Sequence, residues 1–229
     1  MKKLFFLFYT VVILNISLSA QKNEPVIVRE GTRIVDYFPF QERYRYPVFT
    51  TGQITFKNGT INSVNMNYNL LMDEMEFIQS HDTLSVVKKK EIRYVVIAVD
   101  TFLYDNGYLE QIYGSTVKVG LRQRIKLKEV LKKDPYGTSS SGSATNSFGQ
   151  LPTDNNLYKL TVNEDMVFQK MEEYYLKTPT SGFVQFRKKN VLQLFPEKSD
   201  AIKSYLKSNK VNFDFREDLL RLAEYLNRL

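Results

Sequence analysis

From residue 51 onward, apolar residues recur mostly at every second position, the spacing of strands with one buried face. Ile54 and Phe56 alternate with Gln53, Thr55 and Lys57, and Asn58-Gly59 then predicts a two-residue type I′ hairpin turn that sets Phe56 opposite Ile61. The returning strand carries Val64, Met66, Tyr68 and Leu70 in one phase, so the slip between Ile61 and Val64 predicts a bulge near Asn62-Ser63. Its opposite row, Ser63, Asn65, Asn67 and Asn69, reads as a solvated sheet face. A second slip at Asp73-Glu74 moves Met75 and Phe77 into the apolar phase and predicts a strand bend or rim.

Residues 84–87 and 94–99 read as further strands on either side of Lys88-Lys89-Lys90; the continuous apolar run of the second predicts a central strand covered on both faces. Asp105-Asn106-Gly107 predicts another hairpin turn. The cleanest alternation follows. Val117, Val119, Leu121, Ile125 and Leu127 fall on one face of an extended strand, and Lys118, Arg122, Arg124, Lys126 and Lys128 on the other. Residues 134–156, rich in Ser, Gly and Pro, predict a mobile loop. Residues 164–176 fit a helix or a strand, with strand preferred, and residues 183–186 and 191–194 predict a hairpin around Lys188-Lys189-Asn190.

The end of the chain changes period. Pro196 suits a first helical turn, Ala201, Ile202, Tyr205 and Leu206 share a helix face, and Leu219, Leu222, Leu226 and Leu229 line a final helix that Asp214 and Glu217 are expected to open as a capping box. The expected fold is mainly β (α+β): an antiparallel sheet or partly closed barrel over residues 21–195, covered by two C-terminal amphipathic helices within residues 196–229.

Residues 1–20 stand apart. A basic start at Met1-Lys2-Lys3, an apolar run over residues 4–14 and the small-residue exit Ser17-Leu18-Ser19-Ala20 match a secretory signal peptide. The mature chain is then expected in the periplasm, at the outer membrane or outside the cell, with no transmembrane helix. The chain has no cysteine, which excludes both a disulfide framework and a lipid anchor on cysteine. Net charge is +7, falling to about +5 without Lys2 and Lys3, a moderate value. Nucleic acid is a poor partner for an exported chain; an envelope protein or an anionic envelope component fits better. Fifteen Tyr and sixteen Phe with no Trp suit β-sheet packing.

The string Gly52-Gln53-Ile54-Thr55-Phe56-Lys57-Asn58-Gly59, the string from Met66-Asn67-Tyr68-Asn69-Leu70 through Glu76-Phe77-Ile78, the segment Asp134-Pro135-Tyr136-Gly137 and the tail from Leu194-Phe195-Pro196 to Asn227-Arg228-Leu229 resemble a family of exported, functionally uncharacterised Bacteroidota proteins. The resemblance spans most of the mature chain. It implies an envelope location and carries no reaction.

Chemistry is sparse. His81, the single histidine, sits in the polar stretch Gln79-Ser80-His81-Asp82 and reads as an exposed loop residue. Cysteine nucleophiles are excluded, and neither phosphate-binding glycine pattern occurs. Two acidic groups remain, Asp73, Glu74, Glu76 with Asp82, and Glu172 with Glu173, but neighbours on a strand point to opposite faces and no calcium-loop pattern is present. No catalytic residue, metal ligand or cofactor is assigned. The leading candidate site is the basic face of Lys118, Arg122, Arg124, Lys126 and Lys128, whose charges lie close enough along a strand to attract a polyanion. A charged outward face that blunts edge aggregation is the plainer account. The function expected is a non-catalytic binding or assembly role in the envelope, with a carrier of an apolar ligand such as lipid, or a small outer-membrane β-barrel, as alternatives.

Overall fold

The computed structural model describes residues 24–114, 116–133, 139–143 and 160–229. The leader and most of the Ser/Gly segment lie outside the described residues. Twelve strands form one antiparallel sheet: β1 (Val26–Val28), β2 (Thr50–Phe56), β3 (Ile61–Asn69), β4 (Glu74–Gln79), β5 (Asp82–Ser85), β6 (Ile92–Ile97), β7 (Asp100–Tyr104), β8 (Tyr108–Tyr113), β9 (Lys118–Lys133), β10 (Ser139–Ser143), β11 (Asp165–Lys177) and β12 (Val184–Gln185). Their order is β1-β11-β9-β8-β7-β6-β2-β3-β4-β5, with β10 on β9 and β12 on β11. Two single-turn helices, α1 (Ile34–Tyr37) and α2 (Phe40–Arg43), precede β2, and α3 (Lys188–Leu194), α4 (Ser199–Ser208) and α5 (Arg216–Asn227) end the chain.

The sheet curls without closing. Where β8 leaves the edge of β9, the β3–β4 turn takes its place, and the Ile125 amide donates to the Leu70 carbonyl at 2.8 Å. The curl encloses a core of Met66, Tyr68, Leu70, Met75, Phe102 and Tyr108, and Phe168 of β11 packs against the same core. Tyr68 meets Phe102 and Tyr108 at ring distances of 5.8 and 6.0 Å. A second core lies where α3, α4 and α5 cover Val119 of β9 and Leu176 of β11, burying Val191, Ile202, Leu219 and Leu222. The Asn227 side chain pins α5 there, accepting from the Val117 amide at 2.9 Å and donating to its carbonyl at 3.2 Å. Among the described residues no helix is long and apolar enough to cross a membrane.

Several sequence expectations are corrected. Around Asn58-Gly59 only Gly59 has positive φ, and the Phe56 amide bonds to the Thr60 carbonyl, so the loop is a three-residue turn with a left-handed last position; Ile61 then pairs with Thr55. The β2–β3 register runs unbroken through residues 62 and 63, because Ile61 is an exposed apolar residue and no bulge is needed to bury it. The slip at Asp73-Glu74 is a hairpin turn, with Asp73 at φ 56°.

Strand β6 is central, but only Ile92, Val95 and Ile97 are buried, and the run ends in a tight turn at Ala98-Val99 that leaves Val99 93 % exposed. Residues 139–143 of the expected loop pair with β9 in register Ser139↔Lys133 to Ser143↔Glu129. The expected hairpin at residues 183–194 is instead β12 followed by helix α3, whose Val191 is needed in the second core. Helices α4 and α5 are the two expected within residues 196–229, and α3 joins them in that layer. No capping box forms, since α5 begins at Arg216; Asp218 instead accepts from the Asn212 amide at 2.8 Å.

Candidate functional site

The alternation over residues 117–128 does produce a strand with basic residues on one face, yet the β3–β4 turn folds over that face. Register with β11 sets Arg122 opposite Glu173 and Arg124 opposite Met171. Asp73 accepts a hydrogen bond from Arg122, lies 3.7 Å from Arg124, and accepts from the Tyr68 hydroxyl at 2.5 Å. Glu173 accepts from Arg124 Nε at 3.0 Å and from Lys126 at 3.1 Å. Burial disfavours the charged form of Arg122, but Asp73 outweighs it and holds the guanidinium more firmly protonated than usual. Burial likewise works to raise Glu173, and the bonds from Lys126 and Arg124 reverse this and lower it.

Three of the five candidate residues are thus engaged within the fold. The other two are placed apart from that cluster. Lys118 stands opposite Lys177, with no ion pair among the described residues, and Lys128 is exposed at a register shift where β9 carries one extra residue between Leu127 and Glu129. That shift moves the apolar phase from Ile125 and Leu127 to Val130.

The asparagine row is divided in the same way. Ser63 and Asn65 are exposed, but Asn67 and Asn69 are fully buried, which corrects the expectation of a solvated face. The chain before β2 continues along β3, with the Arg45 amide bonded to the Tyr68 carbonyl, and bulges outward over residues 46–48. The Asn67 side chain fills the interrupted ladder: it accepts from the amides of Tyr46 and Tyr68 at 3.1 and 2.9 Å and donates to the carbonyls of Tyr46 and Val48 at 2.8 and 3.2 Å. Asn69 caps the turn amides of Leu71 and Met72 and donates to Glu76, which also accepts from the Tyr44 hydroxyl at 2.6 Å. Asp82 and His81 lie exposed at the β4–β5 turn.

A different concavity combines charge with apolar wall. After β5 the chain turns inward at Val86, whose amide bonds to the Met75 carbonyl, and outward at Val87. Lys88 is left-handed at φ 55°, a conformation a lysine rarely adopts, and opens the single 3₁₀ turn Lys89–Glu91. The cleft so formed has a volume of about 750 Å³, with Met72, Leu84, Val86, Val87 and Tyr104 on its wall and Lys88, Lys89, Lys90 and Glu91 around its rim.

Glu74 also lines the cleft, with a side chain only 10 % exposed. It accepts a bond from Lys89, while its second oxygen is buried without a partner among the described residues, as is the Tyr108 hydroxyl. Burial pushes the Glu74 carboxyl up, against the lowering effect of Lys89. Burial also raises Tyr108, and the Glu74 charge adds to that rise. A second, apolar groove of about 170 Å³ between Ile54, Phe56, Val64 and Phe77 shares Val86 and Val87 with the cleft.

Sequence reasoning treated Lys88-Lys89-Lys90 as a break between strands. The available signal was the basic run placed directly after the apolar residues of 84–87. No protein-family model, curated protein or solved structure matches the chain.

Proposed function

We propose that this is a non-catalytic, exported binding protein of the cell envelope, and that it binds at the cleft beside Lys88, Lys89 and Lys90 and not along the basic strand. The observation that carries this reading is the different fate of the two basic groups. Asp73 and Glu173 occupy Arg122, Arg124 and Lys126, whereas the cleft presents lysines beside exposed apolar surface. An engaged ion-pair network has little charge to offer a partner, because breaking it costs several kcal/mol (about 3–5 for a buried pair) before any new contact is made. Export rests on the pattern of residues 1–20, as does the envelope address.

The non-catalytic part of the reading is supported by how the acids are held. Among the described residues, Asp73 and Glu173 are tied to arginine and lysine, Glu76 to Tyr44 and Asn69, and the cleft's Glu74 to Lys89, so these four do not stand as a free pair across a cleft in the way two-carboxylate hydrolysis requires. Among the described residues the sheet has edges at β1 and β5, which favours the binding reading over a membrane barrel, since lipid supplies no partner to an open edge.

Retention of the purified mature chain on envelope fractions tests the proposal. Lys88→Glu with Lys90→Glu is expected to reduce retention by about ten-fold or more, and Lys118→Glu with Lys128→Glu to leave it unchanged. The reverse pattern would return the function to the strand.

A further inference from the structure

We infer that the cleft takes a single-chain amphiphile with an anionic head, its chain lying against Val86 and Val87 and its head at Lys88 and Lys90. The inference rests on the cleft being the binding surface and names the chemistry of what fills it. Val87 is 73 % exposed and borders both the cleft and the apolar groove of Ile54, Phe56, Val64 and Phe77. Apolar surface therefore runs from one concavity to the other across a side chain that gains nothing from facing water. A wholly polar ligand would leave that surface wet.

The rim selects charge. Three lysines and two glutamates line the cleft, and Glu74 already holds Lys89, so cations remain in excess at Lys88 and Lys90. The left-handed Lys88 begins the turn that sets these lysines in succession around the rim, and the Glu91 amide closes on the Lys88 carbonyl at 2.8 Å. Glu74 also lines the cleft, with its side chain nine-tenths buried and one oxygen without a hydrogen-bond partner among the described residues. A phosphate monoester, with a charge of about −1.5 to −2 near neutral pH and three acceptor oxygens, answers Lys88 and Lys90 together better than a carboxylate does.

Calorimetric titration of the mature chain with dodecyl phosphate, kept below its micelle concentration, tests this. Saturable binding is expected at one site, with inorganic phosphate and dodecyltrimethylammonium giving none and dodecanoate binding more weakly. Lys88→Glu with Lys90→Glu, and separately Val87→Asp, are expected to weaken dodecyl phosphate by about ten-fold or more. Both sets lie on exposed side chains, and an unchanged thermal melt verifies the fold; the milder Lys88→Gln with Lys90→Gln serves if a melt falls.

Absence of saturable binding, equal binding of the cationic amphiphile, or unaltered affinity in the variants would overturn the assignment. If the lysine variant loses envelope retention while the parent ignores dodecyl phosphate, the cleft stands as a binding surface and the amphiphile is wrong. If retention and titration are both insensitive to the variant, both readings fall.

Discussion

Asp73→Asn isolates the contact that holds the curled sheet to β9. Asparagine occupies left-handed backbone at least as readily as aspartate, so the φ of 56° at this position adds no cost to the change, whereas alanine would add backbone strain. What is lost is the charge facing Arg122, Arg124 and the Tyr68 hydroxyl. Arg124 keeps Glu173, but Arg122 is left with a side chain 14 % exposed and an Nε already without a partner among the described residues. Removing one member of a buried pair costs about 3–5 kcal/mol, and the partial exposure of Asp73 and Arg122 reduces that to about 2–4 kcal/mol.

Urea unfolding followed by far-ultraviolet circular dichroism should show this as a lower midpoint with an unchanged slope, together with a melting temperature lower by about 4–16 °C. Arg122→Met in the Asp73→Asn background should recover part of the loss, since the orphaned cation is then gone. A loss below about 1 kcal/mol would refute the reasoning and class the network with ordinary surface ion pairs.

Asn67→Ala should cost at least about 3 kcal/mol by stripping partners from the backbone of Tyr46, Val48 and Tyr68, while Asn65→Ala on the exposed half of the same row should stay within about 0.5 kcal/mol. Leu222→Ala is expected to lose about 2–5 kcal/mol of unfolding free energy, and Leu229→Ala, on a residue 41 % exposed, under about 1 kcal/mol. Glu173, lowered in the folded state from an ordinary value of 4.5, contributes stability that is full above that value and is lost as pH falls through the folded one. Glu173→Gln should therefore be less stable at pH 7 and should show a shallower loss of melting temperature below pH 4.5 than the parent.

The strands and their faces were legible where one face meets the core and the other meets water. Met66, Tyr68, Leu70 and Met75 are buried as their alternation implies, and the face carrying Arg122 and Arg124 is opposite the face carrying Val119 and Leu121. Local periodicity carries no record of what folds back over a polar face. Asp73 reaches Arg122 across 49 positions, and Asn67 is buried by a segment about 20 residues earlier, so a solvated reading holds for Ser63, Asn65 and Lys128 and fails for the covered part of each row.

The short helix α3 escaped for a related reason. Val191 and Leu194 fit a strand or a helix equally well over so few residues, and the second core selects the helix. The cleft was least visible, because its lysines, Glu74 and Tyr104 come from separate stretches that only the curl of the sheet brings together.

The most direct test of where this protein binds is amine-reactive footprinting of its lysines with and without envelope extract. Protection of Lys88 and Lys90, with Lys118 and Lys128 labelled equally in both conditions, is the expected result. Protection of Lys118 and Lys128 with Lys88 and Lys90 unaffected would contradict the account.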